Sequence, residues 1–179
     1  MARIVEEAFY NGALQKLERL GLRGLIDEIR SVLTGFPLLV QETTDSNGGA
    51  ALRKLIDQGF ESAGGWTKKV TGDVDWTKCH TVNGTQVCVG VEVQVSARSD
   101  LLVMDIVHLR DAIEAGLIDV AVLVIPSDRL SNFLTDRAPS MSDAKRHVGH
   151  AKADDLPLIL MAVEHDGPGQ ALVKQKKRH

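Results

Sequence analysis

The sequence predicts an α/β fold in which a mixed β-sheet is flanked by helices and preceded by N-terminal helices. One observation is the stretch of residues 69–96, where β-branched residues alternate around a central Asn83-Gly84. A second is a pair of nearly continuous apolar runs, residues 118–125 and 156–163, which are typical of strands buried on both faces. Apolar residues at helical spacing elsewhere complete an order of helices, hairpin, helix, strand, helix and strand.

Composition limits the functions of the chain. Its 179 residues are consistent with a single domain over residues 1–179, and the 44% hydrophobic fraction can form a core. The net charge of −3 argues against a basic nucleic-acid coat, and the 4% aromatic content argues against a base-stacking platform. The sequence has no apolar run long enough to span a membrane and too few cysteines for a disulfide scaffold, so we expect a cytoplasmic protein without a membrane partner.

The N-terminal part, residues 1–60, is expected to be helical. Apolar residues recur through residues 4–33 as two amphipathic helices separated at Gly21, and a short apolar run follows at residues 38–40. Asn47 is expected to cap a helix over residues 50–60.

The strongest local signal is a β-hairpin with a type I′ turn at Asn83-Gly84. In that register, opposed residue numbers sum to 167, so Asp75 faces Glu92 and Asp73 faces Gln94. Asp75 and Glu92 form a non-hydrogen-bonded pair with Cα atoms about 4.5 Å apart, where like charges repel. Two interpretations remain open: the acids are solvated, or they bind a divalent cation such as Mg²⁺ or Mn²⁺.

The same register places Cys79 opposite Cys88. A cross-strand disulfide is geometrically conceivable, but two reduced thiols are the expectation for a cytosolic protein. A zinc site is not expected, because only His80 lies nearby.

The second half alternates helices and strands. A helix over residues 101–115 ends at Gly116, and a strand, a short helix over residues 126–134 and a long polar segment over residues 135–155 follow. After the last strand, the basic run 174–179 is expected to be mobile.

These residues carry a resemblance to a known family. Asp75, sixteen residues and then Glu92-Val93-Gln94 within GVEVQVS resemble the active-site motif of PD-(D/E)XK nucleases. Glutamine in place of the motif's lysine is similar to the BglII/BstYI group of type II restriction endonucleases. The resemblance covers about residues 60–169. It implies a restriction-endonuclease-like core over about residues 61–169, followed by a basic tail over residues 170–179.

The resemblance implies Mg²⁺-dependent hydrolysis of phosphodiesters in double-stranded DNA at a short palindromic site. It also implies a homodimer and a cognate DNA methyltransferase in the same host. Asp75, Glu92 and the Val93 carbonyl would hold the metal, for which Mn²⁺ may substitute, and Gln94 would orient the attacking water. Asp73 is an alternative ligand to Asp75, and Glu61 is a further candidate acid.

Candidate DNA contacts are polar residues after the motif, before the hairpin and in the polar segment, where ordinary surface polarity explains them equally well. They are Lys68, Ser96, Arg98, Asn132, Arg137, Ser140, Ser142 and Lys145.

Two other functions remain open. A repair or mobile-element nuclease of the same fold would cut branched or mismatched DNA without a palindromic preference. A catalytically degenerate module would bind DNA without metal-dependent cleavage.

Overall fold

A computed structural model describes residues 1–69, 73–96, 98–135, 137–151 and 153–174. Its strands are β1 (Arg3–Phe9), β2 (Leu39–Val40), β3 (Thr67–Lys68), β4 (Trp76–Val82), β5 (Thr85–Val93), β6 (Val120–Pro126), β7 (Leu158–Glu164) and β8 (Gly167–Pro168). Its helices are α1 (Ala13–Arg19), α2 (Arg23–Thr34), α3 (Gly49–Ala63), α4 (Leu102–Glu114), α5 (Asp128–Phe133) and α6 (Met141–His150), and a 3₁₀ turn at Ser99–Leu101 precedes α4.

A six-stranded mixed sheet forms the centre of the fold, with strand order β1-β7-β6-β5-β4-β3. Strands β5, β6 and β7 are parallel, while β1 pairs antiparallel with β7 and β4 pairs antiparallel with β5. Both apolar runs form fully buried strands, β6 and β7, as the sequence predicts. The α/β fold class and the mixed sheet are therefore confirmed.

The sheet is covered on both faces. On one face, Val91, Val93 and Val95 pack in a core that includes residues of α1, α2 and α3. On the other face, Leu123 and its neighbours pack in a core that includes residues of α4 and α6. Helix α3 closely approaches the strand end after β5: a Cβ added to Gly49 would lie 2.4 Å from the Val95 carbonyl oxygen. The glycine thus permits a backbone contact that fixes α3 beside the end of β5.

The hairpin forms in the predicted register. Asn83 and Gly84 both have positive φ, as a type I′ turn requires, and the pairing runs from Val82–Thr85 to Trp76–Val91. The predicted pairing of Asp73 with Gln94 is wrong, because Asp73 lies before β4 in a left-handed turn and is exposed.

The expectation of two reduced thiols is also wrong: Cys79 and Cys88 are joined by a disulfide. The two residues are directly opposed at a non-hydrogen-bonded position, with Cα atoms 4.0 Å apart. The tight turn therefore brings the two thiols together.

The first predicted helix is wrong at its start, because residues 3–9 form strand β1. This segment is bonded to the edge of β7, and that long-range pairing overrides its helical spacing. Residues 1–60 are therefore not a purely helical part.

Asn47 does not cap α3. Its buried side chain bonds instead to the backbone of Gln41, Phe133 and Leu172, and so joins three segments. Gly48 takes the N-cap position, without a side-chain cap.

The polar segment 135–155 contains a helix that the sequence pattern did not predict. Helix α6 begins at a capping box formed by Ser140 and Asp143, and it buries Met141, Ala144 and Val148. In the basic run, Lys174 donates to the Asp45 carbonyl, and residues 175–179 lie outside the described residues. No helix in the described ranges is long and apolar enough to cross a membrane.

Candidate active site

Asp75 and Glu92 meet where the hairpin joins the rest of the sheet. Asp75 directly precedes β4, and Glu92 lies near the end of β5. The Asp75 amide donates to Glu92 Oε2 at 3.2 Å, and the Val93 amide donates to Asp75 Oδ2 at 3.0 Å. Both side chains are buried, at 3% and 8% residue exposure. The two carboxyl groups are thus held together by backbone bonds that the register provides.

Arg53 of α3 contacts two of the three candidate metal ligands, Asp75 before β4 and the Val93 carbonyl at the end of β5. Its Nη2 lies 2.7 Å from Asp75 Oδ1, and its Nη1 donates to the Val93 carbonyl at 2.8 Å. The guanidinium therefore supplies positive charge between a carboxylate and a carbonyl oxygen.

Glu92 favours its protonated form in this setting. Burial, followed by the charge of Asp75 and the hydrogen bond between the two side chains, raises the pKa of Glu92 to about 9. Asp105, on α4, adds a third acid to the same electrostatic neighbourhood. Burial and then the Asp75 charge raise the pKa of Asp105 to about 6. Within the described ranges, Asp105 Oδ2 is buried without a hydrogen-bond partner. Three carboxyl groups, those of Asp75, Glu92 and Asp105, therefore share this neighbourhood with the positive charge of Arg53.

Asp57 anchors the α3 side of the site. Its Oδ1 accepts from Arg53 Nε and from Trp76 Nε1, each at 3.0 Å, and its Oδ2 lies 2.9 Å from Lys68 Nζ. Burial opposes ionisation of Asp57, but the bonds from Lys68, Trp76 and Arg53 outweigh it and lower the pKa of this carboxyl. Asp57 is thus an ionised partner that orients Arg53.

The other sequence-predicted acids and Gln94 lie in different settings. Gln94 is buried directly after β5, and its backbone amide donates to the Val124 carbonyl at 2.8 Å. Glu61 is exposed on α3, with Oε1 3.9 Å from Lys68 Nζ. Asp73 is also exposed, so only Asp75 of the two aspartates has its carboxylate bonded to β5.

Several candidate DNA contacts gather in a cleft of about 400 Å³ between the loop after β2, the 3₁₀ turn and the α5–α6 connection. Asn132, Arg137 and Ser140 line it, together with the acids Asp128 and Asp143. Asn132 and Arg137 are exposed, whereas Ser140 is the N-cap of α6.

The remaining candidates lie elsewhere or have internal partners. Ser142 Oγ donates to Asp128 at 2.6 Å, and Lys145 is paired with Glu6 of β1. Arg98 is exposed and paired with Asp100 at 2.7 Å, and Ser96 is half-buried after the motif. Lys68 lies beside Asp57 and over the Trp76 ring, 5.0 Å from its centroid.

Arg53, Asp57 and Asp105 were not predicted from the sequence. Arg53 and Asp57 stand four residues apart on a predicted helix, which places them on one face, but nothing local shows that this face meets the hairpin. Among the residues that the structure describes, no group of three or more His, Cys, Asp or Glu side chains is arranged to hold a metal ion.

Comparison with known proteins identifies a family for this chain. The family model for the restriction endonucleases BglII/BglIII matches residues 5–163. Its range includes both strands of the hairpin, α3 and all of β7 except its last residue. No curated protein gives a significant match. Since the family model covers most of the chain, this protein belongs to the BglII/BglIII family of restriction endonucleases.

Proposed function

We propose that this protein is a type II restriction endonuclease that cuts double-stranded DNA at a short palindromic site in a Mg²⁺-dependent reaction. The observation that carries the proposal is the buried pair of Asp75 and Glu92 beside the Val93 carbonyl, in a chain of the BglII/BglIII family. Contact with water does not account for two acids at these facing positions, because both side chains are buried.

The donor groups fit a hard divalent cation. Asp75, Glu92 and the Val93 carbonyl offer oxygen atoms only, as Mg²⁺ and Mn²⁺ prefer. Two further observations support the fit: Arg53 already places a cation against Asp75 and Val93, and Asp105 Oδ2 is an unsatisfied buried oxygen among the described residues. Asp75, Glu92 and Val93 would hold the ion, which would lower the pKa of a bound water and offset charge on the scissile phosphate.

The protein's own groups then have distinct roles. The Val93 amide fixes the Asp75 carboxylate in place by donating a hydrogen bond to it. Glu92 must lose its proton before it can act as a ligand. Gln94 carries no charge and cannot take a proton, so its amide would orient the attacking water by hydrogen bonding.

The DNA-binding proposal rests on positions around the site. Asn132, Arg137 and Ser140 line one cleft, and we propose them as base or phosphate contacts. Ser96 and Arg98 follow directly after the motif. The further candidates are Lys68, Ser142 and Lys145.

We also propose a homodimer, because a twofold-symmetric site is matched by a twofold-symmetric enzyme. A cognate DNA methyltransferase would protect the host genome from this activity. We infer one endonuclease domain over residues 1–179, since β1 completes the same sheet that carries Glu92.

The test is digestion of a sequenced plasmid and a phage DNA with purified protein and Mg²⁺, with Glu92→Ala alongside. Discrete fragments from the wild type alone, with ends that map to one palindrome, are the expected result. Cleavage without sequence preference would instead favour a repair or mobile-element nuclease. DNA binding without cleavage in Mg²⁺ or Mn²⁺ would indicate a degenerate binding module.

A further inference from the structure

Arg53 binds two of the three groups to which the proposed function assigns the metal, Asp75 and the Val93 carbonyl. All three guanidinium nitrogens have partners. Nη2 lies 2.7 Å from Asp75 Oδ1, Nη1 donates to the Val93 carbonyl at 2.8 Å, and Nε donates to Asp57 Oδ1 at 3.0 Å. The side chain is only 21% exposed, so these contacts are largely shielded from water. Arg53 is therefore a specifically bound internal cation.

We propose that Arg53 is a positioning residue that competes with the divalent cation for Asp75 and Val93. Its guanidinium keeps these two acceptors in place without metal, and it must release them when the ion binds. The inference rests on the proposed function, because it takes Asp75 and Val93 as the metal's ligands.

The competition follows from charge and from hydrogen bonding. Asp75 Oδ1 is already ion-paired with Arg53, and the Val93 oxygen accepts an N–H group from it, so a cation bound to both oxygens would displace those contacts. A guanidinium left a few ångströms from a divalent ion would also repel it strongly in this buried setting.

Asp57 gives Arg53 a second partner outside the ligand set. The Nε bond to Asp57 uses a different acceptor from the two that the metal would take. Bonds from Trp76 and Lys68 fix Asp57 in turn. The guanidinium can therefore leave Asp75 and Val93 while it keeps its bond to Asp57.

The experiment measures binding of Mn²⁺ to the DNA-free protein, and the concentration of free Mn²⁺ is determined by electron paramagnetic resonance. Arg53→Gln removes the charge and keeps an amide donor. The matched control is Arg23→Gln, which removes an arginine from an exposed ion pair with Glu18. We expect Arg53→Gln to bind Mn²⁺ roughly tenfold more tightly than the wild type, a gain of about 1.4 kcal/mol. Arg23→Gln is expected to match the wild type.

Thermal unfolding provides a second readout. Without metal, Arg53→Gln should melt below the wild type, because Asp75 loses its counter-ion, and added Mn²⁺ should raise its Tm more than that of the wild type. If Arg53→Gln does not fold, Arg53→Lys replaces it. A single ammonium cannot span both acceptors, so tighter Mn²⁺ binding than in the wild type is again expected.

Each other outcome counts against the proposal. Mn²⁺ affinity that is equal or weaker in the Arg53 variants, with a wild type that binds Mn²⁺ and cuts DNA, would overturn the role of Arg53 alone. Absence of Mn²⁺ binding in the wild type and in the variants would overturn this role together with the metal dependence of the proposed function.

Discussion

Replacement of Glu92 by glutamine should change how stability depends on pH in the metal-free protein. The pKa of Glu92 is raised from 4.5 to about 9 by burial and by Asp75, so between these values the folded protein keeps a proton that the unfolded chain has released. The folded state therefore binds more protons, and stability falls as pH rises through this window. One such proton corresponds to about 1.4 kcal/mol per pH unit. Glutamine is neutral throughout and lacks this dependence.

The assay is urea unfolding with EDTA at a series of pH values from about 6 to 8, where the slope is close to its full value. The free energy of unfolding of Glu92→Gln, relative to the wild type, should rise by up to about 2.7 kcal/mol over these two units. The control is Glu61→Gln, an exposed carboxylate on α3, whose difference from the wild type should stay constant with pH. A constant difference for Glu92→Gln would refute the argument that burial beside Asp75 keeps Glu92 protonated.

The same reasoning predicts that metal binding releases protons. A carboxyl group must be ionised to act as a ligand, and a pKa of about 9 leaves Glu92 mostly protonated at neutral pH. Binding of Mg²⁺ near pH 7.5 should therefore release close to one proton per site, measured by calorimetry in two buffers of different ionisation enthalpy. Saturating Mg²⁺ should also flatten the pH dependence of stability, whereas heat that is independent of the buffer would contradict the prediction.

Three further predictions concern the framework around the site. Asn47→Ala removes the hydrogen bonds of a buried side chain to the backbone of Gln41, Phe133 and Leu172, and should lower the free energy of unfolding by about 2–4 kcal/mol in urea unfolding. A loss below about 0.5 kcal/mol would contradict the role of Asn47 in joining these segments. Gly49→Ala places a methyl group against backbone that cannot move aside, and should lower the free energy of unfolding by about 1–3 kcal/mol and reduce cleavage. The control Gly24→Ala has open space around the new methyl group and should be neutral or stabilising. Equal stability of the two variants would show that the close approach of α3 to the end of β5 does not hold the helix. The double replacement of Cys79 and Cys88 by serine should cost about 2–3 kcal/mol from loop entropy, seen as a lower Tm. A Tm equal to that of the wild type purified without reductant would argue that the disulfide does not form in solution.

Local sequence signals were sufficient for the hairpin and for the pair of acids. The type I′ preference of Asn83-Gly84 fixes the register through Trp76–Val91. That register places Asp75, the next residue, beside Glu92 without any information from the rest of the chain. The buried strands β6 and β7 were also evident, because strands covered on both faces are apolar throughout. The hairpin depends on residues that are neighbours in sequence, and the buried strands depend on burial along their whole length. Both can be predicted from the pattern of residues in a single sequence.

The edge strand β1 and the role of Asn47 depended on contacts between distant segments. Residues 3–9 have helical spacing, yet they form β1 because β7 offers unpaired backbone groups. Asn47 looked like a helix cap, but the approach of Phe133 and Leu172 gives its amide better partners. In both cases the competing contact lies more than eighty residues away in sequence, and no local pattern encodes it.

By itself, the sequence determined the fold class, the hairpin register and the facing carboxylates Asp75 and Glu92. Only the tertiary structure decided that both acids are buried, that Cys79 and Cys88 are joined, and that Arg53 and Asp57 of α3 complete the site. The physical reason is that register follows from one turn, whereas burial and charge pairing depend on which helix packs against which strand end. Gly49 permits that packing, and it thereby brings a cation to the carboxylates that the hairpin assembles.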